Sequence, residues 1–100
     1  MGFSSIKDSI AIESEMSWEA RDVAKTVHQM LSRTAAKYSA NNAISFQLLS
    51  GPKDKAETVT WGALLEKTNQ TANLFRSLGV GEGDVVAMIL PNCTEAVLTL

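Results

Sequence analysis

The sequence has one cysteine, Cys93, and one histidine, His28, among its 100 residues. A single cysteine cannot form a disulfide within the chain, so the cysteine content does not indicate a secreted protein. A single histidine, with no second histidine or cysteine at ligand spacing, does not form a zinc motif. We therefore expect His28 to lie at the surface, on the edge of a helix.

The sequence also lacks an excess of basic residues, a long apolar run and a leader-like start. A net charge of −2 argues against a nucleic-acid-binding module. The longest strongly apolar run, 85–91, is far shorter than the roughly 20 residues of a membrane-spanning helix. No basic stretch precedes an apolar one near the N-terminus, and Ile6 stands where a myristoylation motif after Gly2 has Ser or Thr. The expectation is a cytoplasmic protein with no transmembrane segment and no nucleic-acid partner.

No combination of side chains in the sequence indicates catalysis. The chain has no Ser/His/Asp set, no paired carboxylates and no lysine-bearing phosphate loop. The glycines of 79–84 follow a predicted helix and precede a predicted strand, the reverse of a nucleotide-binding loop, and are interpreted as a helix cap and turn. Cys93 is interpreted as a packed small residue, and 52–55 as a solvated turn. We predict no catalytic, cofactor-binding or metal-binding residue here.

Hydrophobic periodicity distinguishes the N-terminal 16 residues from the rest of the chain. Residues 1–16 show no sustained period and are predicted to form a flexible N-terminal arm. From Ser17 to Tyr38, apolar residues at spacings of three and four predict an amphipathic helix, with a face of Val23, Val27, Met30, Leu31, Ala35 and Tyr38. Trp18 and Trp61, at the starts of elements, are expected to close edges of the core.

Two alternating segments and two later elements follow the first helix. Ile44, Phe46 and Leu48 alternate with polar residues, as do the residues of 57–61, and together they predict a β-hairpin. A second helix is predicted from Trp61 to Leu78, capped by Thr60 and ended by Gly79, with a face of Leu64, Leu65, Thr68, Ala72, Phe75 and Leu78.

The apolar run of 84–90 predicts a strand buried on both faces, as in a parallel sheet. Asn92 and Glu95 then predict the capping box of a last helix. The pattern is the opening half of a βαβ unit that is cut off at the C-terminus. The predicted fold class is α/β, and α+β for the chain in isolation.

Four short motifs occur in a fixed order: "T-W-x-x-L" at 60–64, "A-N-x-F" at 72–75, "G-V-x-x-G-D-x-V-A" at 79–87 and "L-P-N" at 90–92. With the upstream "AAKYSANNAI", this set resembles the start of an adenylate-forming enzyme, specifically an AMP-binding acyl-CoA synthetase. The resemblance extends over about residues 17–100. It implies that 17–100 is the incomplete N-terminal part of a large adenylation domain, and that the chain is an N-terminal fragment.

The resemblance implies a two-step reaction for the parent enzyme. A carboxylate attacks the α-phosphate of Mg-ATP to give an acyl-adenylate and pyrophosphate, and the thiol of coenzyme A then displaces AMP. Such enzymes place the phosphate loop, the nucleotide contacts and the catalytic lysine downstream of this segment. No contact with ATP, Mg²⁺ or coenzyme A is therefore assigned to this chain, which we expect to be inactive alone.

The resemblance leaves the substrates and acceptor of the parent open. The sequence does not distinguish fatty, aryl and short-chain acids as the substrate of the parent, and a fatty acid is the family-level expectation. The acceptor thiol is that of coenzyme A or of a carrier protein.

The alternative interpretation is a free-standing α+β protein-interaction module without catalysis. It accounts for the absence of catalytic residues but not for a βαβ unit without its second strand. Because the unpaired strand and the short last helix leave apolar surface open, we expect the chain to self-associate. The other expected partner is the rest of the parent chain.

Overall fold

The computed structural model describes residues 4–100, which contain four helices and one two-stranded sheet. The order is α1 (Ile6–Glu15), α2 (Val27–Tyr38), β1 (Asn42–Phe46), β2 (Glu57–Thr60), α3 (Trp61–Ser77) and α4 (Thr94–Thr99). The strands are antiparallel, with Ile44 opposite Val59. Helices combined with an antiparallel hairpin confirm the α+β arrangement predicted for the isolated chain.

The N-terminal residues form a helix where the sequence predicts a loose arm. The Ser5 hydroxyl accepts a hydrogen bond from the Asp8 N–H at 3.3 Å, and the Asp8 carboxylate accepts one from the Ser5 N–H at 3.2 Å. This capping box satisfies donors that a helix start otherwise leaves free. Apolar periodicity gives no sign of α1 because the helix buries none of its side chains. Residues 1–3 lie outside the described residues, and the flexibility of the arm stays a prediction.

Helix α2 begins ten residues later than the sequence predicts, at Val27 rather than Ser17. The Ser17 side chain starts a turn instead, because its hydroxyl accepts a hydrogen bond from the Ala20 N–H at 3.3 Å. The helix starts where the Thr26 hydroxyl accepts a hydrogen bond from the Gln29 N–H at 3.0 Å. Val23 therefore precedes the helix rather than lying on its face, and the prediction for 17–26 is wrong.

The hairpin and the long helix after it confirm the predicted pattern. Ile44 and Phe46 are half-buried, and Ser45 between them is exposed. The Thr60 hydroxyl caps α3 by accepting a hydrogen bond from the Ala63 N–H at 3.2 Å. Strand β1 ends at Phe46, so Leu48 lies beyond it and is exposed, contrary to the prediction.

Helix α3 ends in a Schellman motif at the predicted glycine. The Val80 N–H donates to the Phe75 carbonyl at 3.0 Å, and the Gly79 N–H donates to the Arg76 carbonyl at 3.1 Å. This pair of bonds requires a left-handed residue, and Gly79 supplies it with φ of 86°. The predicted helix end is confirmed, although Ala72 and Leu78 of the predicted face are exposed.

The core is small and lies between α2, β2 and α3. Leu31, Val59 and Leu64 pack together there, and Ala35 is also buried. Half-buried residues surround this cluster, among them Ile44, Trp61 and Leu98. Leu98 connects α4 to the core, so the C-terminal helix folds back onto α3.

The predicted strand of 84–90 is not formed. All residues of 81–92 are exposed, and within the described residues this segment pairs with no strand. A strand needs a hydrogen-bonded neighbour, and β1 and β2 pair only with each other. The predicted cap at Asn92 is also wrong, because Cys93 occupies the N-cap and makes no side-chain cap bond. The Asn92 side chain therefore stands one residue too early to cap α4.

Candidate functional site

The glycine-containing segment after α3 is a turn closed by its own aspartate. The Gly81 N–H donates to the Asp84 carboxylate at 2.7 Å, and the Asp84 N–H donates to the Gly81 carbonyl at 3.1 Å. Gly83 inside the turn has φ of 85°. The cap-and-turn interpretation of 79–84 is confirmed by this geometry.

The hairpin loop repeats the same arrangement. The Gly51 N–H donates to the Asp54 carboxylate at 2.9 Å, and the Asp54 N–H donates to the Gly51 carbonyl at 3.1 Å. The Gln47 side-chain amide adds bonds to the carbonyls of Gly51 at 2.9 Å and Asp54 at 2.7 Å. The loop at 52–55 is thus an ordered turn, and a Gly-x-x-Asp spacing in the sequence is the signal for both turns.

These two turns do not fit a phosphate group. A backbone phosphate site needs free N–H donors at a positive potential. In both turns a carboxylate already accepts the glycine N–H: Asp54 accepts that of Gly51, and Asp84 accepts that of Gly81. Each carboxylate also adds a negative charge to its turn. An incoming phosphate would have to displace that carboxylate and would meet its charge.

The structure places the lone histidine and the lone cysteine on different elements. His28 is exposed on α2, and its Nε2 lies 2.9 Å from Oδ1 of Asn69 on α3. Cys93 is a free, half-buried thiol before α4. Within residues 4–100, no three His, Cys, Asp or Glu side chains come together as a metal ion would need. These positions agree with the surface interpretation of His28.

Thr94 is the one buried polar residue of the described chain, with 3% of its surface exposed. Its hydroxyl oxygen has no hydrogen-bond partner within the part of the chain that the structure describes. A buried hydroxyl without a partner costs free energy, because it gives up its bonds to water. The start of α4 is therefore a destabilised position.

An apolar groove of about 440 Å³ lies between α2, β1, α3 and α4. Leu31 and Leu64 line its buried part, whereas Val27, Met30 and Val97 line it as exposed residues. Among the residues that the structure describes, no Asp, Glu, Lys or Arg side chain lines it. Sequence reasoning missed this groove, because periodicity assigned Val27 and Met30 to a core-facing helix surface.

The two tryptophans differ in their surroundings. Trp61 is half-buried and packs against the core, as predicted, and it also borders the groove. Trp18 is 70% exposed and lines a second cleft of about 360 Å³ beside α1, so the prediction that it closes a core edge is wrong. In that cleft the Arg21 guanidinium donates to the Ile12 carbonyl at 3.3 Å.

The helices were compared with the length and hydropathy that a membrane-spanning helix needs. Among residues 4–100, no helix combines the length and the apolar character that a span of the bilayer requires.

Comparison with known proteins identifies relatives of most of the chain. The model of a family described as AMP-binding enzyme matches residues 31–100. Crotonobetaine/carnitine–CoA ligases of Salmonella paratyphi A, Salmonella paratyphi B and Salmonella typhimurium are 37% identical to the chain over 71 residues. The matched stretch covers 71% of this chain and 13% of each ligase, so the chain spans a small part of their length. No solved structure matches the chain significantly.

Proposed function

The chain belongs to the family of AMP-binding enzymes, and from this premise we propose that it is the N-terminal structural segment of an AMP-forming acyl-CoA synthetase. The observation that carries the proposal is the continuous family match over 31–100, which includes the hairpin, α3 and α4. The named CoA ligases among its relatives support the same reaction class.

The parent enzyme is proposed to join a carboxylic acid to a thiol at the expense of ATP. The carboxylate attacks the α-phosphate of Mg-ATP and releases pyrophosphate, and the thiol of coenzyme A then takes the acyl group and releases AMP. Crotonobetaine and carnitine are the first acids to assay, because the named relatives are ligases of these compounds. A medium-chain fatty acid is the matched comparison, since a fatty acid is the general expectation for the family.

Residues 84–90 are proposed to become a strand of the parent's parallel sheet. The run Val85–Leu90 consists of apolar residues, and in the described chain Val85 is 92% and Ile89 98% exposed. Burial of such a run on both faces is typical of a strand inside a parallel sheet. Residues 17–100 are accordingly an incomplete part of the large adenylation domain.

This chain by itself is proposed to be inactive and to bind neither Mg-ATP nor coenzyme A. The proposal is supported by the two aspartate-closed turns, whose N–H groups are engaged by Asp54 and Asp84. Isothermal titration calorimetry of the 100-residue chain with Mg-ATP should give only the heat of dilution. Saturable binding with one site per chain would overturn the proposal.

A chimera tests the structural role directly. The matched 71-residue stretch of the Salmonella typhimurium ligase is replaced by the corresponding residues of this chain. If the stretch is structural, kcat/KM of the chimera stays within about tenfold of the parent ligase, or about 1.4 kcal/mol of transition-state stabilisation. A chimera carrying Leu64→Asp is the matched control, since a charge in the core should prevent folding. A soluble, folded chimera whose kcat falls by a thousandfold or more would show that the stretch contributes to catalysis.

Self-association of the chain is also proposed. The run Val85–Leu90 is exposed throughout, and a contiguous exposed apolar surface of this kind favours association. The same exposure favours the second candidate, an α+β interaction module, although the family match supports the ligase segment. A cytoplasmic location is proposed because a single cysteine gives no sign of an oxidising compartment.

A further inference from the structure

We propose that the apolar groove between α2, β1, α3 and α4 is covered by the residues that follow Leu100 in the parent chain, which continue α4 as a longer helix. This inference rests on the proposed function, because it requires a longer parent. It goes beyond that function by naming the surface of this segment that the rest of the parent contacts and the part of the parent that contacts it.

The end of α4 lies at the groove itself. Val97 and Leu100 both line the groove, and α4 ends at Thr99, next to the last residue. Residues attached to Leu100 therefore begin at the border of the groove and need no connecting loop to reach it. The family match also extends to residue 100, and the matched stretch is only 13% of the Salmonella ligases, whose chains are much longer.

Helix periodicity directs the continuation of α4 along the groove. Val97 and Leu100 are three residues apart, so they lie on one stripe of the helix. The first and fourth residues after Leu100 stand four and seven positions from Val97 and fall on the same stripe. Because that stripe faces an apolar lining, we expect apolar side chains at both positions.

The charge at the end of the chain favours a covalent continuation over a separate occupant. As the last residue, Leu100 carries the α-carboxylate, and it lines the groove. No Asp, Glu, Lys or Arg side chain among residues 4–100 lines the groove, so this charge has no partner there. A separate apolar molecule in the groove would lie beside that carboxylate, which is costly to desolvate. A peptide bond to the next residue replaces the carboxylate with a neutral amide.

The continuation also accounts for the poor packing of α4. The helix has six residues, fewer than the roughly 12–15 at which a helix without tertiary contacts becomes even marginally stable. Leu98 packs against the core, but Val97 is 45% exposed on the groove side. Across the groove, Val27 and Met30 of α2 are 71% and 55% exposed. Further turns of α4 in the groove would bury these side chains and stabilise the helix that they extend.

Thiol labelling measures whether the groove is covered. Cys93→Ser removes the native thiol, and Val27→Cys then places a single thiol at the groove. Its rate of reaction with a water-soluble disulfide reagent is compared between the 100-residue chain and the chain extended by the next roughly 12 encoded residues, about one average helix. We expect the extension to slow the reaction at least about tenfold, since thiol reactivity follows exposure. Ile6→Cys is the matched control and should react at an unchanged rate, because Ile6 is also the first residue of a helix, is 79% exposed and lies outside the groove.

The outcomes separate this inference from the proposed function. Met30→Cys replaces Val27→Cys if circular dichroism shows that the latter has lost helix, since Met30 also lines the groove. An unchanged rate at the groove, equal slowing of Ile6→Cys, or a charged residue at the first or fourth position after Leu100 would overturn the inference and leave the ligase segment standing. Protection that needs no extension and grows with chain concentration would identify a second copy as the occupant and would also overturn it. A reading frame that stops after Leu100 would overturn both.

Discussion

Replacement of Leu64 by alanine tests whether the small core between α2, β2 and α3 holds the fold together. Leu64 is 6% exposed and packs against Leu31 and Val59. The side chain comes from α3, and its neighbours come from α2 and β2. Its truncation therefore weakens the contact between all three elements at once.

The expected loss follows from the carbons removed and from the position of the side chain. Leucine to alanine removes three carbons at about 0.8 kcal/mol each, or about 2.4 kcal/mol of transfer free energy. A closed cavity would add to this, but Leu64 borders the open groove. We therefore expect a total loss of about 2.5 to 3 kcal/mol, near the lower end of measured buried leucine truncations.

Urea unfolding followed by circular dichroism measures this loss. The midpoint of Leu64→Ala should fall by roughly 1 to 2 M urea at an unchanged slope. Low protein concentration keeps the free energy of association out of the measurement. Leu74→Ala is the matched control on the same helix, because Leu74 is 56% exposed and should cost only about 1 kcal/mol. Equal losses for the two variants would refute the assignment of the core.

Three further substitutions test local features of the fold in the same assay. Gly79→Ala should lower the unfolding free energy by about 1 to 2 kcal/mol, because the backbone at this residue is left-handed. Gly81→Ala is the control and should lower it less, since Gly81 has no positive φ. Equal losses for the two variants would argue against the Schellman motif. Thr94→Val should raise the unfolding free energy by about 1 kcal/mol, since it removes a buried hydroxyl without a partner; a loss would show that the hydroxyl is hydrogen-bonded in solution. Thr60→Ala should cost about 1 kcal/mol through the lost cap of α3, and no change would mean that this cap is not formed.

Elements with a packed face and a clear cap were predictable from sequence. The hairpin has alternating residues such as Ile44 and Val59, and α3 has Thr60 at its start and Gly79 at its end. In these elements local hydrogen bonds and burial favour the same structure, so the sequence pattern and the fold agree.

The elements that the sequence did not predict correctly depend on interactions that leave no trace in the spacing of apolar residues. Helix α1 forms from the reciprocal bonds of Ser5 and Asp8 without any buried side chain. The start of α2 is fixed by the Thr26 hydroxyl, although apolar residues continue further upstream. The strand predicted for 84–90 is not formed, because a strand needs a hydrogen-bonded neighbour that this segment cannot supply by itself.

The groove was not predictable because periodicity identifies an apolar helix face but not what covers it. Val27 and Met30 have the spacing of core residues and are nevertheless exposed. Their position depends on how far apart α2 and α4 lie, which tertiary packing decides. Among residues 4–100, the lack of Asp, Glu, Lys and Arg side chains along the groove becomes visible only when the elements are assembled.

The central claim is that residues 17–100 form the N-terminal structural segment of a longer AMP-forming ligase. Sequencing the transcript through the codon for Leu100 tests it most directly. We predict an open reading frame that continues and encodes a Ser/Thr/Gly-rich stretch ending in lysine, as the resemblance to adenylate-forming enzymes implies. A stop codon directly after Leu100 would contradict the claim and favour the interaction module.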